Sequence, residues 1–150
     1  MLSMNSSMSK VYGSVRSEVE LESGLRSIAD SGFKEKCGCF VFGKFLDIET
    51  NAEVGEFQDR TGYECFINSI NIDDYVDEGM LEQGIAFVKR VFLQWSRLHS
   101  GLVLAAIMIF DELGLKTKFH VLRDGERWLS DDLEGYEESI LVVDSSEPGF

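Results

Sequence analysis

The chain contains three cysteines and two histidines, side chains that could bind a transition metal or supply a nucleophile and its base. Cys37 and Cys39 lie two residues apart, a spacing that on a β-strand directs both thiols to one face, and Cys65 falls in a second strand-like segment. With His99 or His120 they would form a zinc ligand set in principle. The spacing lacks the two intervening residues of a zinc knuckle, so we interpret the cysteines as free thiols and expect no metal and no other cofactor.

Motifs for nucleophilic or phosphate chemistry are missing from the sequence, which contains neither a G-x-S-x-G turn nor a glycine-rich phosphate loop. His99 is explained by the end of a predicted helix, and His120 by an outward-facing position on a predicted strand. The adjacent carboxylates of Asp131 and Asp132 could serve a hydrolase, although acids in a polar loop are usually only solvated. We therefore expect a protein that is not an enzyme, with a hydrolase that pairs one histidine with a carboxylate as a less favoured alternative.

Carboxylates dominate two stretches of the chain. Residues 45–82 contain eleven acids and one basic residue, residues 124–147 contain nine acids and one basic residue, and the formal net charge is −13. Such a surface repels the phosphates of nucleic acids and of anionic membranes, and it attracts basic proteins. The expected partner is therefore a basic protein, and neither a nucleic acid nor a membrane.

Two groups of residues are candidates for binding that partner. The first group lies at the start of a predicted long helix, where N-capping by an aspartate explains two of its members. The second brackets an aromatic residue, an arrangement typical of hot spots that bind Arg and Lys side chains. The candidates are Asp73, Asp74, Asp77 and Glu78 in the first group, and Asp131, Asp132, Glu134, Tyr136, Glu137 and Glu138 in the second.

Hydrophobic periodicity predicts the elements that position these groups. Apolar residues at a spacing of three to four predict a long helix over about 74–99 and a short helix over 19–29. Strands are predicted over 11–15, 36–48, 63–72, 102–110, 115–122 and 140–143, with hairpins over 36–72 and 102–122. This order predicts an α+β fold: a mostly antiparallel sheet with one long and one short helix packed on one face.

The ends and the composition of the chain predict its organisation and compartment. Residues 1–9 are expected to be a loose leader and residues 10–150 a single α+β domain. The longest apolar run, over 101–110, is too short to span a bilayer, and the opening residues do not have the pattern of a secretory signal. Together with three cysteines that form no disulfide framework, this predicts a cytoplasmic protein.

The acidic, compact and motif-free character of the whole chain resembles the small immunity proteins that bacteria make against nucleases and other cationic toxins. That resemblance implies a tight one-to-one complex in which carboxylates cover the basic cleft of a toxin. We therefore expect an acidic protein-binding inhibitor of the immunity type. The alternative is a small-ligand-binding or scaffold domain, with a pocket lined by phenylalanines between the sheet and the helix that contains Trp95.

Overall fold

The computed structural model describes residues 1–15, 18–47, 53–99 and 101–150. In these ranges the α-helices are α1 (Ser6–Tyr12), α2 (Ser23–Asp30), α3 (Arg60–Ile67) and α4 (Met80–Leu98). The strands are β1 (Leu2–Met4), β2 (Phe33–Lys36), β3 (Cys39–Phe42), β4 (Ser69–Asn71), β5 (Leu104–Asp111), β6 (Gly114–Val121) and β7 (Ser139–Asp144). Short 3-10 turns occupy Gly43–Phe45, Val54–Glu56, Ile72–Asp74 and Leu133–Gly135.

The strands of these ranges form a five-stranded sheet in the order β1-β7-β5-β6-β4 and a separate hairpin of β2 and β3. Every neighbouring pair of strands is antiparallel. The predicted α+β class with a mostly antiparallel sheet is confirmed. The predicted hairpin over 102–122 is β5 and β6, and the predicted last strand is β7.

Side chains along each strand point alternately to the two faces of the large sheet. The core face carries Leu104, Ala106, Met108, Leu115, Phe119, Val121, Leu141 and Val143. Helix α4 lies across this face and buries its apolar stripe there, as its periodicity predicts. A Cβ atom at Gly84 would clash with the side chain of Leu115, so a glycine is what lets α4 approach the sheet so closely.

Aromatic rings fill the space between α4 and the hairpin of β2 and β3. Phe33 stacks on Phe42 with ring centroids 4.2 Å apart and meets the edge of Trp95 at 5.4 Å. Phe42 also contacts Phe119 at 5.4 Å, which joins the hairpin to the large sheet. The phenylalanines predicted to line a pocket beside Trp95 therefore pack against one another as core.

Helix α3 joins the hairpin to the outer edge of β6 by means of side chains. The Glu64 carboxylate is completely buried and accepts hydrogen bonds from the backbone N–H groups of Phe40 (2.6 Å) and Val121 (2.9 Å). Arg123 donates to both of its oxygens at 2.8 Å. Two amide donors and a bidentate guanidinium compensate for the loss of hydration of this buried charge.

Asn68 repeats this arrangement one turn further along. Its Oδ1 accepts from the N–H of Phe42 at 3.1 Å, and its Nδ2 donates to the carbonyls of Phe40 (2.8 Å) and Phe119 (3.4 Å). Each buried backbone group that would otherwise be unpaired at these strand edges costs free energy. Glu64 and Asn68 thus take the place that a further β-strand would have between β3 and β6.

The segment over 63–72, predicted as one strand, is instead the end of α3 followed by the short strand β4. Asp59 caps α3 by accepting from the N–H of Gly62 at 2.7 Å. Of the predicted partner strand over 36–48, Cys39–Phe42 is a strand, β3, and Lys36 is the end of β2. The predicted hairpin over 36–72 is wrong, because the chain turns at Cys37 and Gly38 and pairs β3 with β2. Residues 48–52, at the start of the predicted connection, lie outside the described ranges.

Residues 1–9, predicted to be a loose leader, are structured. Strand β1 pairs with β7, and α1 follows at once, so the predicted strand over 11–15 is wrong as well. Asn5 is buried and caps α1 through Oδ1, which accepts from the N–H groups of Met8 and Ile140 at 3.0 Å. Its Nδ2 donates to the carbonyls of Leu133 and Glu138. Elements this short show no periodicity that could reveal them.

We expect that replacing Glu64 by alanine lowers the free energy of unfolding by about 3–5 kcal/mol, because it leaves Arg123 and two buried amides without their acceptor. The matched control is Asp30→Ala, which breaks the half-exposed ion pair with Arg90 and should cost less than about 1 kcal/mol. Urea unfolding of both variants measures the difference. Equal losses in the two variants would contradict this role of Glu64.

Candidate protein-binding surface

One end of the large sheet gathers the ends of four strands. The register pairs Asp111 with Gly114, Phe110 with Ser139, and Asn71 with Lys116. The end of β5, the start of β6, the start of β7 and the end of β4 therefore lie side by side. Acidic residues flank each of these strand ends in the sequence.

Four of those acidic residues line one concavity. Asp111 and Glu112, from the β5–β6 turn, line it together with Glu137 and Glu138, which precede β7. Its volume is about 380 Å³. We call these four residues and Leu113 the acidic end. A group of like charges on one concavity attracts a cationic partner.

Leu113 forms the tip of the acidic end. Its side chain is 85 % exposed, more than that of any other large apolar residue in the described ranges. The Asp111 carboxylate accepts from the N–H of Leu113 at 2.8 Å, which holds the turn in shape. An apolar tip surrounded by carboxylates provides a contact that loses water on binding, within a charged rim.

Asp73 anchors the connection between β4 and α4 to the same turn. Its Oδ1 accepts from the N–H of Leu115 at 3.1 Å. Gly114 has φ +141°, and a Cβ atom there would clash with the Asp73 carboxylate, so both its conformation and the close approach call for glycine. This aspartate therefore has a structural task beside its charge.

The other acids of the first predicted group follow Asp73 in the chain. Asp74, Asp77 and Glu78 are exposed in the connection that leaves the sheet at this end. Helix α4 begins only at Met80, after Gly79 at φ +63°, and in the described residues no side chain caps it. The prediction that Asp73 or Asp74 caps this helix is wrong, because the helix starts later than its apolar pattern predicts.

The second predicted group is divided by the structure. Glu137 and Glu138 belong to the acidic end, whereas the members before them make local contacts. Asp131 pairs with Arg127 at 2.7 Å, Asp132 accepts from the N–H of Glu134, Glu134 accepts from Ser6 at the start of α1, and the hydroxyl of Tyr136 accepts from the N–H of Ser130. Part of this acidic loop thus stabilises its own fold and that of α1.

The sequence did not predict that Asp111, Glu112 and Leu113 belong to a binding surface. The hairpin turn that carries them was predicted, and its two acids were visible in the sequence. What was missing was the pairing of β5 with β7, which places that turn beside Glu137 and Glu138. Lys116 is the basic strand residue nearest to this end, on the face of the sheet opposite the core.

The cysteines and histidines make no catalytic arrangement in the described residues. Cys37 is exposed in the β2–β3 turn, while burial raises the pKa of Cys39 to about 11 and that of Cys65 to about 12. The ring of His99 stacks on Trp95 at 4.2 Å. Within these ranges neither His99 nor His120 forms a hydrogen bond with a carboxylate, as a hydrolase of the kind considered above would require.

The fold and this surface define a small α+β domain with an acidic end on an antiparallel sheet. The chain belongs to the Uncharacterized protein PM0498 family, whose sequence pattern matches residues 3–149. The chain is 31% identical over 134 residues to the "Uncharacterized protein PM0498" of Pasteurella multocida (strain Pm70), and the alignment covers 82% of each of the two chains. No solved structure matches this chain. Among the helices of the described ranges, none is long and apolar enough to cross a membrane.

Thiol reactivity gives a simple check of the cysteine environments. We expect one thiol, that of Cys37, to react rapidly with Ellman's reagent in the folded protein, because a buried thiol with a raised pKa supplies almost no thiolate at pH 8. All three should react after unfolding in guanidinium chloride. Cys37→Ser should abolish the rapid phase. A thiol that still reacts rapidly in that variant would contradict the burial of Cys39 or Cys65.

Proposed function

We propose that this protein is an acidic protein-binding inhibitor that docks its acidic end on a basic surface of another protein. The observation that supports the proposal is the convergence of Asp111, Glu112, Glu137 and Glu138 on one concavity, with the exposed Leu113 at its tip. These residues come from two separate stretches of chain. Acids that serve only to keep a protein in solution have no need to converge in this way.

Electrostatic steering lets such a surface bind a basic partner quickly. A cluster of carboxylates raises the association rate with a basic partner, and the gain falls as salt screens the charges. The apolar tip contributes slow dissociation, because its burial removes apolar surface from water. Fast capture and slow release are what the inhibition of a harmful enzyme requires.

A cationic toxin, such as a nuclease, is the partner that this chemistry fits best. A nuclease binds the phosphate backbone through clustered Lys and Arg side chains, and carboxylates at a protein surface can occupy the same cleft. The inhibitor would act in the cytoplasm, where such a toxin meets its substrate. The whole-chain resemblance to immunity proteins supports the same reading.

The test compares two variants with the same net charge. One carries lysine at Asp111, Glu112, Glu137 and Glu138; the control carries lysine at Glu35, Glu53, Glu56 and Asp124, all exposed elsewhere. Each is immobilised and exposed to host lysate at 50 mM salt. We expect the wild type and the control, and not the acidic-end variant, to retain the same basic protein, which is released by salt.

The inhibitory part of the proposal needs its own measurement. The captured protein should be toxic when expressed alone in the host, and co-expression of the wild type or the control should restore growth, whereas the acidic-end variant should not. Equal capture by all three proteins would exclude the acidic end as the docking surface. A captured partner that is harmless to the cell would exclude the inhibitor function.

A further inference from the structure

The face of the large sheet opposite the core carries a cavity with a roof. After β6 the chain folds back over this face, and residues 122–133 lie above strands β5, β6 and β7. The sheet provides Ala105, Ile107, His120 and Val142 as the floor, and the roof provides Trp128 and Leu129. The cavity has a volume of about 320 Å³, which is within the range of sites that bind small molecules.

The roof is held in place by contacts with helix α3 and strand β6. Arg123 is fixed by the buried Glu64, and the Glu126 carboxylate accepts from both the N–H and the hydroxyl of Thr61 at 3.1 Å. The ring of Trp128 lies 5.3 Å from the ammonium group of Lys118. The cavity is therefore formed before any ligand arrives, which lowers the entropic cost of binding.

His120 places a polar atom at the floor of this cavity. The residue is only 6 % exposed, and its Nδ1 lies 3.1 Å from the carbonyl oxygen of Val121. A carbonyl can only accept, so Nδ1 carries the hydrogen and Nε2 keeps a free lone pair. In the described part of the chain no donor is hydrogen-bonded to Nε2. Burial lowers the pKa of His120, which favours the neutral ring.

The charged groups around the cavity already have hydrogen-bond partners in the chain, among them Glu126, which binds Thr61. Arg127 binds Asp131 at 2.7 Å at the exposed rim, and the Asp144 carboxylate accepts from the N–H of Ser146 at 2.9 Å and from the amino group of Met1 at 3.1 Å. What remains inside is a mainly apolar space in which Nε2 of His120 is an acceptor without a hydrogen-bonded donor among the described residues. A charged ligand would lose its hydration there, and the charged groups that it meets already have partners.

We propose that this cavity binds a small uncharged aromatic or heteroaromatic molecule that donates one N–H or O–H hydrogen bond to Nε2 of His120. The apolar side chains of the floor and the indole of Trp128 suit an aromatic ring. An unmet acceptor in an apolar pocket favours a ligand with a donor over a ligand of the same shape without one. The site is distinct from the acidic end and does not depend on the function proposed for it.

The test uses two probes of nearly equal shape, p-cresol as the donor and p-xylene as its apolar analogue, with binding measured by ligand-observed NMR titration. We expect the wild type to bind p-cresol about tenfold more tightly than p-xylene, the ratio that one hydrogen bond of about 1.4 kcal/mol gives. His120→Phe should reduce that ratio to about one while p-xylene still binds. The absence of saturable binding of both probes to the wild type would overturn the proposal.

A blocking variant keeps the test independent of any effect of His120 on folding. Ser3 lines the cavity from the exposed edge strand β1, so Ser3→Trp should fill the opening without disturbing the core and abolish binding of both probes. The matched control, Ser96→Trp on an exposed position of α4, should bind like the wild type. Unchanged binding in Ser3→Trp, or a tenfold ratio retained in His120→Phe, would show that the probes bind elsewhere.

Discussion

The buried carboxylate of Glu64 is the constraint on which the arrangement of the other elements depends. It lies in helix α3, yet its four hydrogen bonds go to three other parts of the chain: strand β3, strand β6 and the segment that follows β6. A charge with no exposed surface is tolerated only where donors replace its water. Here two backbone amides and a bidentate guanidinium do so, and the geometry that they require fixes the positions of all three partners.

Both candidate surfaces follow from that arrangement. With β6 held in register, its turn with β5 projects from the far end of the sheet, where the start of β7 brings further carboxylates beside it. At the other end Arg123, bound to Glu64, sets the direction in which the chain leaves β6 and folds back as the roof over His120. A polar contact inside the fold thus positions an acidic docking surface and a roofed apolar cavity at separate places on one sheet.

The elements that the sequence predicts are those whose burial is visible among neighbouring residues. Contacts between residues far apart in the chain leave no such pattern. The β5–β6 hairpin, β7 and helix α4 except for its start were predicted correctly, because each shows its burial as a local period. Helix α3 was predicted as a strand, since eight residues with an accidental alternation cannot show that Glu64 and Asn68 bond to strands far away in the chain.

The same limit applies to the prediction of the acidic binding residues. Composition revealed their surplus, but only the pairing of β5 with β7 separates Glu137 and Glu138 from Asp132 and Glu134, which stabilise their own loop and helix α1. His120, predicted to face outward, does leave the core face, and only the return of the chain after β6 buries it.

Amide hydrogen exchange measured by NMR tests most directly whether α3 closes the strand edges in this way. The amides of Phe40 and Val121 donate to Glu64 in α3, and that of Phe42 donates to Asn68, the C-cap residue of α3. If Glu64 and Asn68 hold these edges as described, the three amides exchange as slowly as those of the central strand β5, opening only with global unfolding. Exchange of these amides near the rate of an exposed strand edge, while β5 stays protected, would contradict the account.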